Sequence, residues 1–190
     1  MPPYTIETWR ADHNSGAFVS GMAVIDHYIK HQAARDMSSR ASLVFVLTEP
    51  GDRTVRGYYT LSSLGIVFTD LPETVTKRLP RYPQIGATIL GRLSVDRSYR
   101  DQLEETLGEN PRLGELLLFD AQMKALQGAR KTAGSALFVI DVKQPTAEEL
   151  ACGLLDPMTF YTQYGFAPLP GNRRRVFKLI RVIEQEFRQA

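Results

Sequence analysis

Between Ile89 and Glu115 a short apolar run gives way to a charged, turn-rich segment and then to a long amphipathic pattern, and the rest of the chain reads as walls around this stretch. Ile89 to Val95 reads as a buried strand and Arg112 to Ala129 as a helix. Asn110 suits the helix N-cap, and Pro111 the first helical position, where a missing N–H costs nothing. A helix that starts there leaves the amides of Arg112 to Glu115 without intrahelical partners. With the positive end of the helix dipole, those donors make an anion site, and Gly114 has no side chain to obstruct a close approach. A further buried run, Ala136 to Val142, completes a strand–helix–strand unit.

The preceding half of the chain reads differently. Tyr4 to Arg10 alternates like a strand, and Met22 to Arg35 places Met22, Ile25, Ile29 and Ala33 on one helical face. Ser42 to Thr48 and Val55 to Leu64 flank a Pro-Gly-Asp turn and form a hairpin. Leu71 to Leu79 is a short helix with Asp70 as its cap and Pro72 in an early position. Beyond the βαβ unit, Lys143 to Asp156 is an excursion with a short helix at Thr146 to Cys152. Pro157 to Tyr164 is a helix closed by Gly165, Arg175 to Ile180 a last strand, and Val182 to Phe187 a terminal helix. An antiparallel half leading into a βαβ half implies an α/β (α+β) protein with a mixed sheet and helices packed on it. A chain of 190 residues suits a single domain, 1–190.

Composition narrows the setting. Hydrophobic residues make up 43% and charged residues 23%, ordinary for a globular protein, and a net charge of +2 does not by itself call for nucleic acid. The single cysteine, Cys152, excludes an internal disulfide and points to a reducing compartment. With no signal-peptide pattern and no run long enough to span a bilayer, the expectation is a soluble cytoplasmic protein with no membrane partner.

Several residues stand out as candidates, each with a plain structural reading beside it. Gly91 marks either tight packing or a bulge. Arg92, apolar on both sides within its strand, needs a partner or a cleft. In FYTQYGF, Phe160 and Tyr164 share a helical face, whereas Tyr161 turns away from it and is either core or a hydroxyl directed into a site. His27 and His31 sit four apart, but no third ligand is suggested and no metal is expected. Basic residues fall in three groups: Lys77, Arg78 and Arg81; Arg92, Arg97 and Arg100; and Arg173, Arg174 and Arg175. They are either solvated faces or convergent on a polyanion.

LGRLSVD (Leu90 to Asp96), the helix start at RLGE and FYTQYGF together resemble the GNAT acetyltransferases, most closely the small GNAT toxins of bacterial toxin–antitoxin pairs. FVSGMAVIDHYIKHQAARD (Phe18 to Asp36), GYYTLSS (Gly57 to Ser63), LPETVTKRLPRYPQI (Leu71 to Ile85) and GFAPLPGNRRRVFKLI (Gly165 to Ile180) carry the similarity across nearly the whole chain in order. The resemblance implies a mixed, mostly antiparallel GNAT-type sheet with a V-shaped splay between its central strands. It implies acetyl-CoA as co-substrate, its pantetheine arm paired with the backbone of Leu93 and Val95 and its pyrophosphate on Arg112, Leu113, Gly114 and Glu115. Tyr161 matches the family tyrosine that protonates the departing thiolate, and Arg92 a position facing the acceptor. The acceptor implied is the α-amine of aminoacyl-tRNA, held through Lys77, Arg78, Arg81, Arg173 and Arg174. A ribbon-helix-helix antitoxin and a homodimer are the partners implied.

The chain also departs from that pattern. The family's pyrophosphate loop has Gln or Arg, two residues, Gly, one residue, then Gly or Ala; the matching positions are Glu109, Arg112 and Gly114, so only the last glycine agrees. Tyr99 to Glu109 reads as an insertion, and Lys143 to Asp156 is longer than in the compact toxins. Two alternatives stay open: a GNAT enzyme for a small-molecule or protein amine, and a degenerate, non-catalytic GNAT-fold binding module.

Overall fold

The computed structural model describes residues 4–189. In chain order the elements are β1 (Thr5–Thr8), α1 (Ala23–His31), α2 (Ala33–Ser38), β2 (Leu43–Thr48), β3 (Gly57–Val67), a 3-10 turn (Phe68–Asp70), α3 (Glu73–Thr76), β4 (Gln84–Val95), α4 (Arg97–Leu107), α5 (Leu113–Lys131), β5 (Leu137–Asp141), α6 (Ala147–Ala151), α7 (Met158–Gln163), β6 (Ala167–Leu169), β7 (Asn172–Leu179) and α8 (Ile180–Gln189). The seven strands hydrogen-bond in the order β1-β2-β3-β4-β5-β7-β6. β4 and β5 run parallel, and the pairs β1/β2, β2/β3, β5/β7 and β6/β7 run antiparallel. This is the mixed, mostly antiparallel sheet with flanking helices that the sequence implies. The chain divides into two compact units, one joining the residues up to Leu61 with Gly91–Ala121 and the other joining Ser62–Leu90 with the residues from Gln122 onward.

In the first unit, alternation along β2 and β3 sends neighbouring side chains to opposite faces. One face receives α1, whose Ile25, Tyr28 and Ile29 are buried. There the Tyr58 ring stacks on Tyr28 at 6.1 Å and meets Phe18 edge-on at 5.5 Å, and its hydroxyl donates to the Ile25 carbonyl at 2.7 Å. On the other face Phe45 stacks on Tyr59 at 5.0 Å, and the Tyr59 hydroxyl donates to the Asp120 carboxylate of α5. A side chain at Gly57 would lie 3.0 Å from Leu117 Cδ1 and 3.2 Å from the Ser94 carbonyl, so close packing explains this glycine. The same reason serves Gly91, where an added Cβ would lie 3.1 Å from Thr60 Oγ1.

Two expectations change in this unit. The continuous helix expected over Met22 to Arg35 is interrupted at Gln32 (φ −116°, ψ −29°), where α1 ends and α2 begins. The reorientation buries Ala33 and brings the Asp36 carboxylate within 3.0 Å of the Tyr28 hydroxyl, which donates to it. The segment read as a polar insertion after β4 is in fact a helix, α4. Buried Asp96 caps it, one carboxylate oxygen accepting from Tyr99 N and the other from Val19 N, both at 2.8 Å. A single aromatic anchors the helix: Tyr99 is buried, donates to Glu49 at 2.9 Å and lies under the Arg56 guanidinium at 4.6 Å. Tyr99, Leu103 and Leu107 recur at helical spacing, but only Tyr99 is buried and the other residues of α4 are all polar.

The second unit centres on the parallel pairing of Ala87–Leu90 with Leu137–Ile140. Its core joins Ile66, Leu71, Val75, Ile85, Ala87, Leu137, Val139, Leu169, Phe177 and Leu179. α3 starts two residues later than expected: Pro72 stands at its cap position, while Asp70 belongs to the 3-10 turn. The three-residue strand β6 went unread because Pro168 and the short hairpin to β7 hide its period.

Candidate active site

The long helix α5 starts at Leu113, two residues later than Asn110 and Pro111 suggest. Asn110 Oδ1 accepts from Arg112 N at 2.9 Å, and the Arg112 carbonyl takes the amides of Glu115 (3.1 Å) and Leu116 (3.2 Å). Of the amides expected to be free, only those of Leu113 and Gly114 have no partner among the described residues. Arg112 itself is left-handed, with φ 52°. That region disfavours a β-carbon by roughly 1–2 kcal/mol, and glycine is its natural occupant. The Arg112 side chain turns to Glu115, Nη2 to Oε2 being 2.6 Å. The helix start therefore keeps the backbone shape of a glycine loop with an arginine in it.

β4 runs on to Val95, whereas its pairing with β5 stops at Leu90 and Ile140. Gly91–Val95, which include Leu93 and Val95, form no further pair with β5 among the described residues.

Arg92 has its partner on α1: its guanidinium carbon lies 3.6 Å from the centre of the Tyr28 ring, a cation–π stack. Its buried Nε has no hydrogen-bond partner among the described residues. Burial, reinforced by the hydrogen bond to Asp36, pushes the Tyr28 hydroxyl up to about 12, against a smaller opposing effect of Arg92. Nothing in the sequence singles out Tyr28, which is not among the face positions Met22, Ile25, Ile29 and Ala33.

Tyr161 is buried on α7, with Phe160 edge-on at 5.1 Å and Phe166 at 6.2 Å. No hydrogen bond holds its hydroxyl among the described residues, and burial alone pushes its pKa upward. A phenol in that state stays protonated at neutral pH, as a proton donor requires.

The basic residues are not gathered in one place. Lys77, Arg78 and Arg81 are exposed just before the start of β4, Lys77 pairing with Glu73 at 3.2 Å. Strand register sets Arg173 and Arg174 at the other end: Ala87 is level with Leu137 and Leu179, and Asp141 with Arg175. From Gln84 to that level is roughly 20 Å at about 3.3 Å per residue. Arg173 is exposed, and Arg175 grips Asp141 through two bonds of 2.5 and 2.7 Å. Arg174, expected on a phosphate, spends its donors on Asp156 and on the Val142 and Lys143 carbonyls. Among the described residues no group of three or more His, Cys, Asp or Glu is placed to hold a metal, and no helix is long and apolar enough to cross a membrane.

No protein-family model matches the sequence. Over 175 residues the chain is 29% identical to the probable toxin TacT of Sinorhizobium fredii, spanning 90% of this chain and 87% of that protein. AtaT complexed with acetyl-methionyl-tRNAfMet has the same fold, with TM-score 0.78, 24% identity, and 97% of this chain and 99% of that one covered. A tyrosine-to-phenylalanine variant of KacT matches at TM-score 0.78 with 22% identity over the same shares. AtaTR bound with AcCoA matches at 0.73 with 22% identity, covering 97% of this chain and 98% of that one. The fold is that of the GNAT acetyltransferases. The sequence relative is a probable toxin, and AtaT is also solved in complex with the C-terminus of the antitoxin AtaR.

Proposed function

We propose that this protein is an acetyl-CoA-dependent N-acetyltransferase of the toxin type, acting in the cytoplasm on the α-amine of aminoacyl-tRNA. The observation that carries the reading is the full-length likeness to AtaT, a protein solved with acetyl-methionyl-tRNAfMet. The residues fit acetyl-CoA: the left-handed turn at Arg112 and the amides of Leu113 and Gly114, without a partner among the described residues, suit a pyrophosphate, and the backbone of Leu93 and Val95 suits an extended amide arm. Arg112 and Glu115 neutralise each other beside those amides, so the anion is held by backbone donors and the helix dipole.

In the reaction the acceptor amine attacks the thioester carbonyl, a C–N bond forms and the C–S bond breaks. Tyr161 donates its hydroxyl proton to the leaving sulfur, and the proton shed by the ammonium returns through solvent to the phenolate. Two neighbours, KacT and AtaT, have been solved with one tyrosine replaced by phenylalanine, which supports a tyrosine as the working group. Arg92, fixed on Tyr28, is the group we assign to the acceptor side, with Arg78, Arg81 and Arg173 as candidate phosphate contacts. AtaT is also solved with the C-terminus of the antitoxin AtaR, and we infer a ribbon-helix-helix antitoxin and a homodimer for this chain as well. Purified protein, radiolabelled acetyl-CoA and a panel of charged tRNAs test the reading. Label should enter the aminoacyl group, and transfer only to polyamines or peptides would favour a different acceptor.

A further inference from the structure

The excursion between β5 and α7 is held at both ends by one side chain. Arg174 Nε donates to the Val142 carbonyl at 3.2 Å and Nη2 to the Lys143 carbonyl at 2.5 Å, at the start of the segment. Its Nη1 donates to Asp156 Oδ1 at 3.0 Å and Oδ2 at 2.7 Å, at the end of it. Asp156 has a second task, since its Oδ1 accepts at 2.9 Å from the N–H of Met158, the first residue of α7, in a turn just ahead of the helix. One turn on, Tyr161 N donates to the Pro157 carbonyl at 3.3 Å. The guanidinium, the carboxylate, the helix start and the tyrosine thus form a continuous chain of contacts.

We propose that Arg174 and Asp156 are a positioning pair that staples the 143–156 segment shut and sets the helix carrying Tyr161, in place of the phosphate contact the basic run suggested for Arg174. This rests on the assignment of Tyr161 above. A planar fork satisfying two carbonyls and a carboxylate together is work for arginine, because a lysine ammonium is a point charge that cannot span them. The Arg174 guanidinium beside Asp156 also holds that carboxyl below the usual carboxylate range, as a charged partner should. In this proposal the pair acts through α7: the Tyr161 hydroxyl loses its alignment when the first turn frays.

The test compares Arg174→Ala, Arg174→Lys, Asp156→Ala and the Arg174→Ala/Asp156→Ala double variant. Hydrogen exchange is followed over residues 143–164, and acetylation kinetics on charged tRNA are followed across a salt series. Each single alanine variant should speed exchange in that segment and lower kcat roughly ten- to a hundredfold, the scale of a small misplacement of a reacting group. KM for tRNA and its salt dependence should stay put, the double variant should be no worse than the poorer single one, and lysine should not rescue. Asp156→Asn keeps an acceptor for Met158 N and should lose less, which guards against a variant that simply unfolds. A raised KM with a shallower salt dependence in Arg174→Ala, and no effect in Asp156→Ala, would make Arg174 a phosphate contact and overturn the proposal. Native exchange rates in both alanine variants would overturn it too. A wild-type protein inert on every charged tRNA, with exchange still raised in the variants, would retire aminoacyl-tRNA as the acceptor while upholding the staple.

Discussion

Arg92 and Tyr28 form a face-on pair, the guanidinium carbon 3.6 Å above the ring, and the Tyr28 hydroxyl in turn donates to Asp36 at 3.0 Å. Burial pushes this hydroxyl from its ordinary 10.0 up to about 12. Its folded pKa is raised, so the stability it contributes is complete below pH 10 and is lost as pH climbs towards 12. Tyr28→Phe removes the bond to Asp36 and should cost about 1 kcal/mol at neutral pH. It should also flatten the alkaline decline, so the gap to wild type narrows by pH 11. Urea unfolding at pH 7, 9 and 11 measures both effects, and an undiminished gap at pH 11 would show that Tyr28 is not the titrating group.

Tyr161→Phe keeps the ring between Phe160 and Phe166 and deletes a hydroxyl that no described residue holds. Stability and acetyl-CoA affinity should therefore be unchanged while turnover falls roughly 10²- to 10⁴-fold, the usual contribution of a general acid. Calorimetry and single-turnover kinetics on the same preparation separate the two, and an unaltered rate would remove Tyr161 from the chemistry.

At the start of α5, Arg112→Gly relieves the left-handed strain but gives up the exposed pair with Glu115 and adds chain entropy, so stability should stay within about 1 kcal/mol of wild type. Acetyl-CoA affinity should hold or rise, because the amides keep their shape. Gly114→Glu sets charge and bulk beside the same amides and should weaken binding at least tenfold. Titration calorimetry reads both; wild-type affinity in Gly114→Glu would mean the pyrophosphate sits elsewhere.

Asp96 satisfies two backbone donors at once, Tyr99 N and Val19 N. Asp96→Ala removes the α4 cap and strands a buried amide, a combined cost of roughly 2–3 kcal/mol. Urea denaturation of this variant should show that loss with a similar dependence on denaturant, whereas Asp101→Ala, exposed on the same helix, should stay within about 0.5 kcal/mol.

Legibility in the sequence followed the source of each signal. Strands β2, β3, β4 and β5 were readable because burial imposes a pattern on consecutive residues. Helix α4 was harder to read, because of its three apolar residues, Tyr99, Leu103 and Leu107, only Tyr99 is buried and the rest are polar. The helix start near Gly114 was readable to within two residues. The true cap fell on Arg112 because the chain enters from a left-handed residue, a conformation that side-chain chemistry does not announce for arginine.

What the sequence determined by itself is the order of elements, the parallel strand pair with its helix, and the positions of Gly114 and Tyr161 in motifs local enough to be spelled by neighbouring residues. Tertiary structure alone decided which charges meet. It set Arg92 on Tyr28, and Arg174 on Asp156 with Val142 and Lys143, across separations of 64, 18, 32 and 31 positions. A guanidinium carries the same five donors wherever it stands. Whether it serves a phosphate, an aromatic face or a loop is settled by what the fold brings within about 3 Å of it.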